Sequence, residues 1–499
     1  MIKADSLLVR CVTAIACPIA IALAFPKTNA TALALVALAP LFWLWSTSSW
    51  RAALGWGLLS GTLLFMLLDS WMIYSLGDEL GSARFAAMFL LSAGESMFVA
   101  IAAVVTSLLA RGRFGARMVF AAPAVWLLVE SARTNGVVSM PFAQIGAVAA
   151  HATWLLPLAA FAGIYGLTAI VALANGAVAG LAFGNRPARI AGAITLALIV
   201  VLALAGDVAR ARVAVPPARM KVAIVQGGIS QRLKWTPAIF AHTMDVYTSL
   251  TRQAAGAGAR IVIWPETAIT DFPLQKPDLL AVLQALTRSQ NVWLVAGTVS
   301  SPQRGFLYNV IMTLDPRGNV GGVYLKHVLV PFAEYLPFES LFRGLPGFNK
   351  ASTFRPGPGA QALDVDGERF GPLVCFESAY SSYARATAQL GTSALLIVTD
   401  DAWFGPTSGP VMHADLAAID AVETGSWVVR GADTGISQVI DPKGKVVAAL
   451  PLDAAGTLVA DIGPPIDTPY VRFGAVWLLG VAALSLIPAM LRMPARSGS

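Results

Sequence analysis

Residues 371–378 read GPLVCFES, a short apolar run that delivers one cysteine and then turns sharply. A brief apolar segment bounded by turn formers reads as a buried strand. Cys375 stands at its end, and Glu377 follows two places later. Where strands alternate with helices, the carboxyl ends of the strands are the usual place for chemistry. Cys11 and Cys17, the other two cysteines, lie in "VRCVTAIACPIAIALAF" and read as small buried residues. Three such cysteines make no disulfide framework.

The same grammar continues on both sides of this strand. "MKVAIVQGGI" (220–229) reads as a strand ended by Gly227-Gly228, and "ARIVIWPETAI" (259–269) as a strand stopped by Pro265. "NVWLVAGTVS", "LYNVIMTLDPRGNV", "SALLIVTDDAWFG", "SWVVRGADTGISQVIDPKGKVVAAL" and "GTLVADIG" supply further strands, with "DPRG" and "DPKG" as turns. Helical patterns fit 236–256, 276–288, 379–390 and 411–424. Strands alternating with helices, together with hairpins, predict a mixed α/β layered domain over 220–465.

The rest of the chain is a different material. The whole is 56% hydrophobic and 13% charged, with mean hydropathy +0.67, too apolar for an ordinary soluble protein. Apolar stretches near 8–25, 31–47, 54–75, 86–109, 118–132, 154–183 and 190–206, and an eighth near 473–491, are of bilayer-spanning length. The stretch around 118–132 is interrupted by Glu130. The first resembles a signal peptide but is followed at once by more spans, so it reads as retained. The pattern predicts a membrane domain over 1–207 with about seven helices, a linker at 208–219, and a C-terminal membrane helix at 470–492.

Short loops carry the orientation signal. With the N-terminus inside, ten Lys and Arg fall in inner loops and tails, against Lys27, Arg84 and Arg133 outside. The α/β domain then lies outside the cytoplasm. The formal charge of +7 belongs largely to cytoplasmic loops, and no basic run interleaved with aromatics points to nucleic acid.

Three polar residues stand at strand ends: Glu266 after "IVIWP", Lys326 after "GGVYL", and Cys375 after "GPLV". Each alone reads as a turn acid, a solvated amine or a buried thiol. Together they have a chemical use. A carboxylate can take the thiol proton, and an ammonium can stabilise both thiolate and oxyanion. His151, His242, His327 and His413 are scattered without metal-ligand spacing, no Gly-rich phosphate loop occurs, and no GxSxG supports a Ser-His-Asp triad. The sequence therefore implies no metal or other cofactor.

"IWPETAI", "YLKHVLVPFAEYLPFE", "CFES" and "DDAWFG" resemble the Glu, Lys and Cys motifs of the nitrilase superfamily. With the surrounding spans, "VQGGISQRLKW" and "PFAQIG" (141–146), the chain is similar to the apolipoprotein N-acyltransferase family over nearly its whole length. The resemblance implies an α-helical membrane bundle of about eight spans plus an extracytoplasmic nitrilase-like αββα sandwich. It implies a triad of Glu266, Lys326 and Cys375, with support from Glu334, Glu377 and Phe376, and Trp235 at the site entrance. The sequence departs from the family pattern at Phe376 (usually Tyr), Ala333 (usually Gly) and Asp400 (usually Asn). The activity implied is transfer of an acyl group from a phospholipid, through a Cys375 thioester, to the N-terminal amine of a diacylated lipoprotein at the bacterial inner membrane. A membrane-tethered amidase and a non-catalytic scaffold are the alternatives. "FESLFRGLPGF" (338–348) reads as a lid, a membrane-dipping loop or a packed surface loop.

Overall fold

The computed structural model describes residues 6–136, 139–342 and 354–490. It divides into two compact units: apolar helices up to Ala211 with the segment from Phe473 onward, and Arg212–Arg472.

Among the described residues of the first unit, four helices are long and apolar enough to cross a bilayer: Trp50–Leu68, Gly81–Ala110, Leu156–Phe183 and Arg186–Arg212. Leu7–Leu23, Thr31–Ser46 and Val476–Met490 are apolar but shorter than the ~20 residues a span of ~30 Å needs. The sequence-based expectation of about eight spans thus meets four long helices, and local chemistry explains part of the difference. The stretch at 31–47 is broken into a 3₁₀ turn, Thr31–Leu35, and a helix, Ala39–Ser46. The buried Asn175 fills the breach. Its Oδ1 accepts from Leu38 N (2.7 Å) and Ala39 N (3.0 Å), and its Nδ2 donates to Ala34 O (2.7 Å). The stretch at 118–132 forms the helix Met118–Arg133, whose charges are satisfied internally. Glu130 accepts from Trp126 Nε1 (3.0 Å) and the Thr168 hydroxyl (2.8 Å), and Arg133 pairs with Glu95 (2.9 Å). Ionised groups in an apolar bundle persist only when paired in this way. Small residues set the closest approach. A Cβ on Gly57 would lie 2.6 Å from Ala100 Cα, so Trp50–Leu68 meets Arg84–Ala110 almost backbone to backbone. The expected linker begins late, because the helix runs on to Arg212 and only 213–219 lack regular structure.

The described residues of the second unit form twelve strands in two sheets. The first sheet holds β1 (Met220–Gln226), β2 (Ile261–Ile269), β3 (Trp293–Gln303), β4 (Phe306–Leu314), β5 (Val320–Leu325) and β12 (Gly456–Ile462), in the order β12-β1-β2-β3-β4-β5. The second holds β6 (Leu363–Val365), β7 (Glu368–Val374), β8 (Ala394–Thr399), β9 (Trp427–Ala432), β10 (Ser437–Ile440) and β11 (Val446–Leu450), in the order β11-β10-β9-β8-β7-β6. The centre of each sheet is parallel: β1-β2-β3 in one, β7-β8-β9 in the other.

Side-chain alternation builds the layers. Val222, Ile224, Ile261 and Ile263 point to the other sheet, where Val374, Leu396, Val398 and Val429 meet them. Their neighbours Ala223, Val225, Val262 and Trp264 pack with Tyr247 and Leu283, carried by the helices Pro237–Gly256 and Pro277–Gln290. Leu373, Leu395, Ile397 and Val428 pack with Ala384 and Ala417, carried by Ser381–Ala388 and Gly409–Thr424. The result is helix, sheet, sheet, helix. Strands buried on both faces must be apolar at every position, which is why "ALLIVT" shows no polar alternation.

Candidate active site

β2 carries Glu266 into the site through a break in its own ladder. Pairing with β3 is regular as far as Trp264↔Ala296, then shifts before Ile269↔Thr298. Pro265 has no N–H to donate, so the ladder yields there. A Cβ on Gly297 would lie 2.1 Å from Pro265 O and 2.6 Å from Glu266 Cα, so only glycine lets the displaced backbone lie flat on β3. Glu266 is buried, and both carboxylate oxygens are held. Oε1 accepts from Asn309 Nδ2 at 2.7 Å and lies 3.3 Å from Lys326 Nζ, while Oε2 accepts from Asp400 N at 2.9 Å.

Lys326 leaves β5 with a side chain 1% exposed. Its Nζ lies 2.9 Å from Glu334 Oε1, eight residues on, so the loop folds back as the lysine motif requires. Glu334 Oε2 closes that loop by accepting from Val330 N (2.8 Å). Burial alone would discharge the ammonium, but the Glu334 and Glu266 carboxylates more than offset it and hold the lysine above its ordinary range.

Cys375 sits where β7 gives way to a 3₁₀ turn, Cys375–Ala379, with φ +51°, a left-handed conformation that non-glycine residues adopt only when the surroundings impose it. Burial, and next the Glu266 carboxylate, push its thiol well above the ordinary range, while Lys326 and the Thr399 hydroxyl pull the other way. The resting state is therefore a thiol. If its proton passes to Glu266, the opposing charge disappears and Lys326 faces a thiolate. This arrangement suits attack on a carbonyl carbon followed by oxyanion stabilisation.

Glu377 is fully buried and works as a clamp. Its Oε1 accepts from His327 N (2.7 Å), Val328 N (3.0 Å) and the Tyr324 hydroxyl (2.8 Å), and its Oε2 from Val374 N (2.7 Å). One carboxylate thus ties the strand end that bears Lys326 to the strand end that bears Cys375. The ring of Phe376 is buried, edge-on to Tyr380 at 5.2 Å. Trp235 is 48% exposed, at the C-cap of the short helix Gln231–Lys234. Of the 338–348 loop, residues 343–348 lie outside the described residues.

Several partners escape a reading of motifs. Asn309 bridges Glu266 and Glu334, with Nδ2 3.3 Å from Glu334 Oε1. Lys234, buried beside the exposed Trp235, contacts Asp400 (2.7 Å), Asp433 (2.9 Å) and the Glu266 carbonyl (3.2 Å). It steadies the segment whose Asp400 N–H holds Glu266, and it supplies a cation for the aspartate that stands where the family pattern has Asn. Behind Cys375, Ser378, His413, Asp401 and Arg430 form a buried chain. A polar residue in an inward strand position, such as Asn309 in "FLYNVIMTL", is the signal that would have found the first of these.

A family model described as Carbon-nitrogen hydrolase matches residues 221–465, and one described as Apolipoprotein N-acyltransferase N-terminal domain matches 19–177. Apolipoprotein N-acyltransferase of Photobacterium profundum is 31% identical over 95% of this chain and 93% of its own. Those of Geobacter metallireducens and Azotobacter vinelandii are 30% and 32% identical, over 96% and 92% of this chain and 94% and 90% of theirs. Among solved structures, an amidase from Nesterenkonia sp. is similar over 53% of this chain and 97% of its own, at 22% identity and a TM-score of 0.41.

Proposed function

The chain belongs to the apolipoprotein N-acyltransferase family, and from that premise we propose a two-step acyl transfer carried by Glu266, Lys326 and Cys375. It is an N-acyltransferase of the membrane, and its reaction is lipoprotein N-acylation. In the first step Glu266 takes the thiol proton and the Cys375 sulfur attacks an ester carbonyl of a phospholipid. Lys326 and the Phe376 N–H stabilise the oxyanion. The C–O bond breaks, the leaving oxygen takes the proton from Glu266, and a lysophospholipid departs from a thioester. In the second step the α-amine of a diacylglyceryl-cysteine attacks that thioester. Glu266 takes the amine proton, the C–S bond breaks, and the proton returns to the thiolate. A thioester stores the acyl group yet yields readily to an amine.

The observation that supports this reading most directly is the Lys326 ammonium held between Glu266 and Glu334, with the strand end that bears Cys375 tied to the lysine's own by Glu377. Glu334 is given a supporting role, with its Oε1 2.9 Å from the lysine Nζ. The amidase and scaffold alternatives are not favoured, since the likeness to acyltransferases runs through the membrane half as well as the hydrolase-like half. Intact-mass analysis after incubation with phospholipid tests the reading. An acyl adduct on Cys375, released by an amine acceptor, is the expected result. Release to water alone would turn the reading to a hydrolase.

Lys326→Met keeps the apolar stem and leaves Glu266 and Glu334 without their cation. Single-turnover acylation should fall by roughly 10²- to 10³-fold, the loss typical of one oxyanion contact. Wild-type rates in this variant would remove the lysine from the mechanism.

The apolar stretches support about eight spans, membership of the family supports a bacterial inner-membrane location, and the loop charges support a catalytic domain on the extracytoplasmic side. A reporter active only outside the cytoplasm should therefore work when fused near residue 300 and stay silent at 186. The reverse pattern would overturn the orientation.

A further inference from the structure

Behind the proposed nucleophile lies a second constellation with familiar chemistry in an unfamiliar place. Ser378 Oγ lies 2.9 Å from His413 Nε2, and His413 Nδ1 lies 2.9 Å from Asp401 Oδ1. Asp401 Oδ2 accepts from Arg430 at 2.7 Å and Oδ1 from the Thr399 hydroxyl at 2.9 Å. Serine, histidine and aspartate in that order suggest a hydrolytic triad. The burial argues otherwise. Ser378 is 1% exposed and His413 is 0% exposed, so no substrate carbonyl reaches the hydroxyl. The serine proton also has another destination, because Ser378 Oγ donates to the Cys375 carbonyl at 2.8 Å. His413 Nε2 lies 3.2 Å from the same carbonyl oxygen.

That carbonyl belongs to the peptide unit whose other polar group is the Phe376 N–H. A peptide unit is planar and trans, so its C=O and N–H point in opposite directions. Holding the carbonyl inward aims the N–H outward. Cys375 itself has φ +51°, a left-handed conformation held by its surroundings. We infer that Ser378, His413 and Asp401 are positioning residues for the oxyanion site: they hold the Cys375 carbonyl in the interior so that the Phe376 N–H faces the reacting carbonyl. Arg430 anchors the far end of the chain, and the backbone fixes Asp401 in place, since a Cβ on Gly435 would lie 2.2 Å from Asp401 Oδ2. The inference deepens the two-step reading above and rests on it.

Two rates measured on one protein separate positioning from simple structural support. In the full-length chain in detergent, with Cys11 and Cys17 replaced by Ala, Cys375 is alkylated with iodoacetamide and, separately, acylated by phospholipid. Alkylation displaces iodide and needs no oxyanion donor. Acylation needs one. Ser378→Ala should slow acylation about tenfold and Ser378→Ala with His413→Gln about a hundredfold, part of the loss seen when an oxyanion donor is deleted, while alkylation stays within about twofold. If both rates fall together, the chain merely holds the elbow in shape and the inference is overturned. It is equally overturned if acylation is unchanged. An adduct on Ser378 that resists neutral hydroxylamine would make the serine a nucleophile and refute the positioning role outright. If the parent protein forms no thioester on Cys375, the two-step reading fails first and takes this inference with it. A parent that forms the thioester beside an unaffected Ser378→Ala variant overturns the inference alone.

Discussion

Cys375→Ala should abolish the acyl-enzyme and lipoprotein transfer and leave the sandwich folded. The side chain is half-buried at the edge of the inter-sheet core, and alanine occupies the same position with one atom fewer. The left-handed backbone is no worse for alanine than for cysteine, since each carries a Cβ. The polar framework also survives, because the Glu266–Lys326–Glu334 contacts and the Glu377 clamp do not use the sulfur. The melting transition should therefore move by no more than a surface substitution would move it, about 0.5 kcal/mol in either direction. Cys11→Ala and Cys17→Ala should transfer acyl groups at nearly the parental rate. The checks are intact mass after phospholipid and product analysis with an amine acceptor. Transfer that persisted in Cys375→Ala would end the covalent mechanism.

Glu266→Gln is the next largest effect, and it carries a pH signature. A carboxylate presents acceptors on both oxygens, and here both are used, by Asn309 and Lys326 on one and by the Asp400 N–H on the other. An amide offers one oxygen and one NH₂. Whichever way it is turned, one donor meets a donor. The variant thus loses the base and one hydrogen bond, and acylation should fall by roughly 10²- to 10⁴-fold, the usual contribution of a positioned proton acceptor. Alkylation should respond in the opposite sense. The Glu266 charge is among the causes that raise the Cys375 thiol, so removing it lets the thiol ionise at lower pH than in the parent. The midpoint of alkylation against pH should move down while the acylation rate collapses. Parental acylation in this variant would return "IWPETAI" to a structural turn.

Much of the sandwich was legible because its strands obey simple rules. "ALLIVT" and "MKVAIVQ" carry no polar residue at their centres, and the helices from Pro237 and Pro277 begin close to where their patterns start. The three residues of the proposed triad were legible because each ends an apolar run. The partners were not. Lys234 meets Asp400 across 166 residues and Asn309 meets Glu266 across 43. A buried hydrogen bond between remote residues leaves no periodicity, and Lys234 is masked by the more conspicuous Trp235 beside it. Ser378, His413 and Asp401 fit no triad motif for the same reason: spatial order, not chain order, makes the arrangement. In the membrane unit, hydropathy alone found apolar length but not the break at 36–38, because the compensating Asn175 lies far along the chain.

The proposed acid and lysine hang from one sheet and the thiol from the other, with Glu266 and Lys326 both encoded before any strand of the second sheet. A chain that emerges and folds from its N-terminus therefore completes its proton acceptor and its cation first and receives its nucleophile last. Until the second sheet packs onto the first, with β8 and β9 against β1 and β2, the thiol has neither its proton acceptor nor its cation beside it. Half-made molecules in a membrane full of esters are chemically silent, and the order of synthesis itself acts as a safety catch.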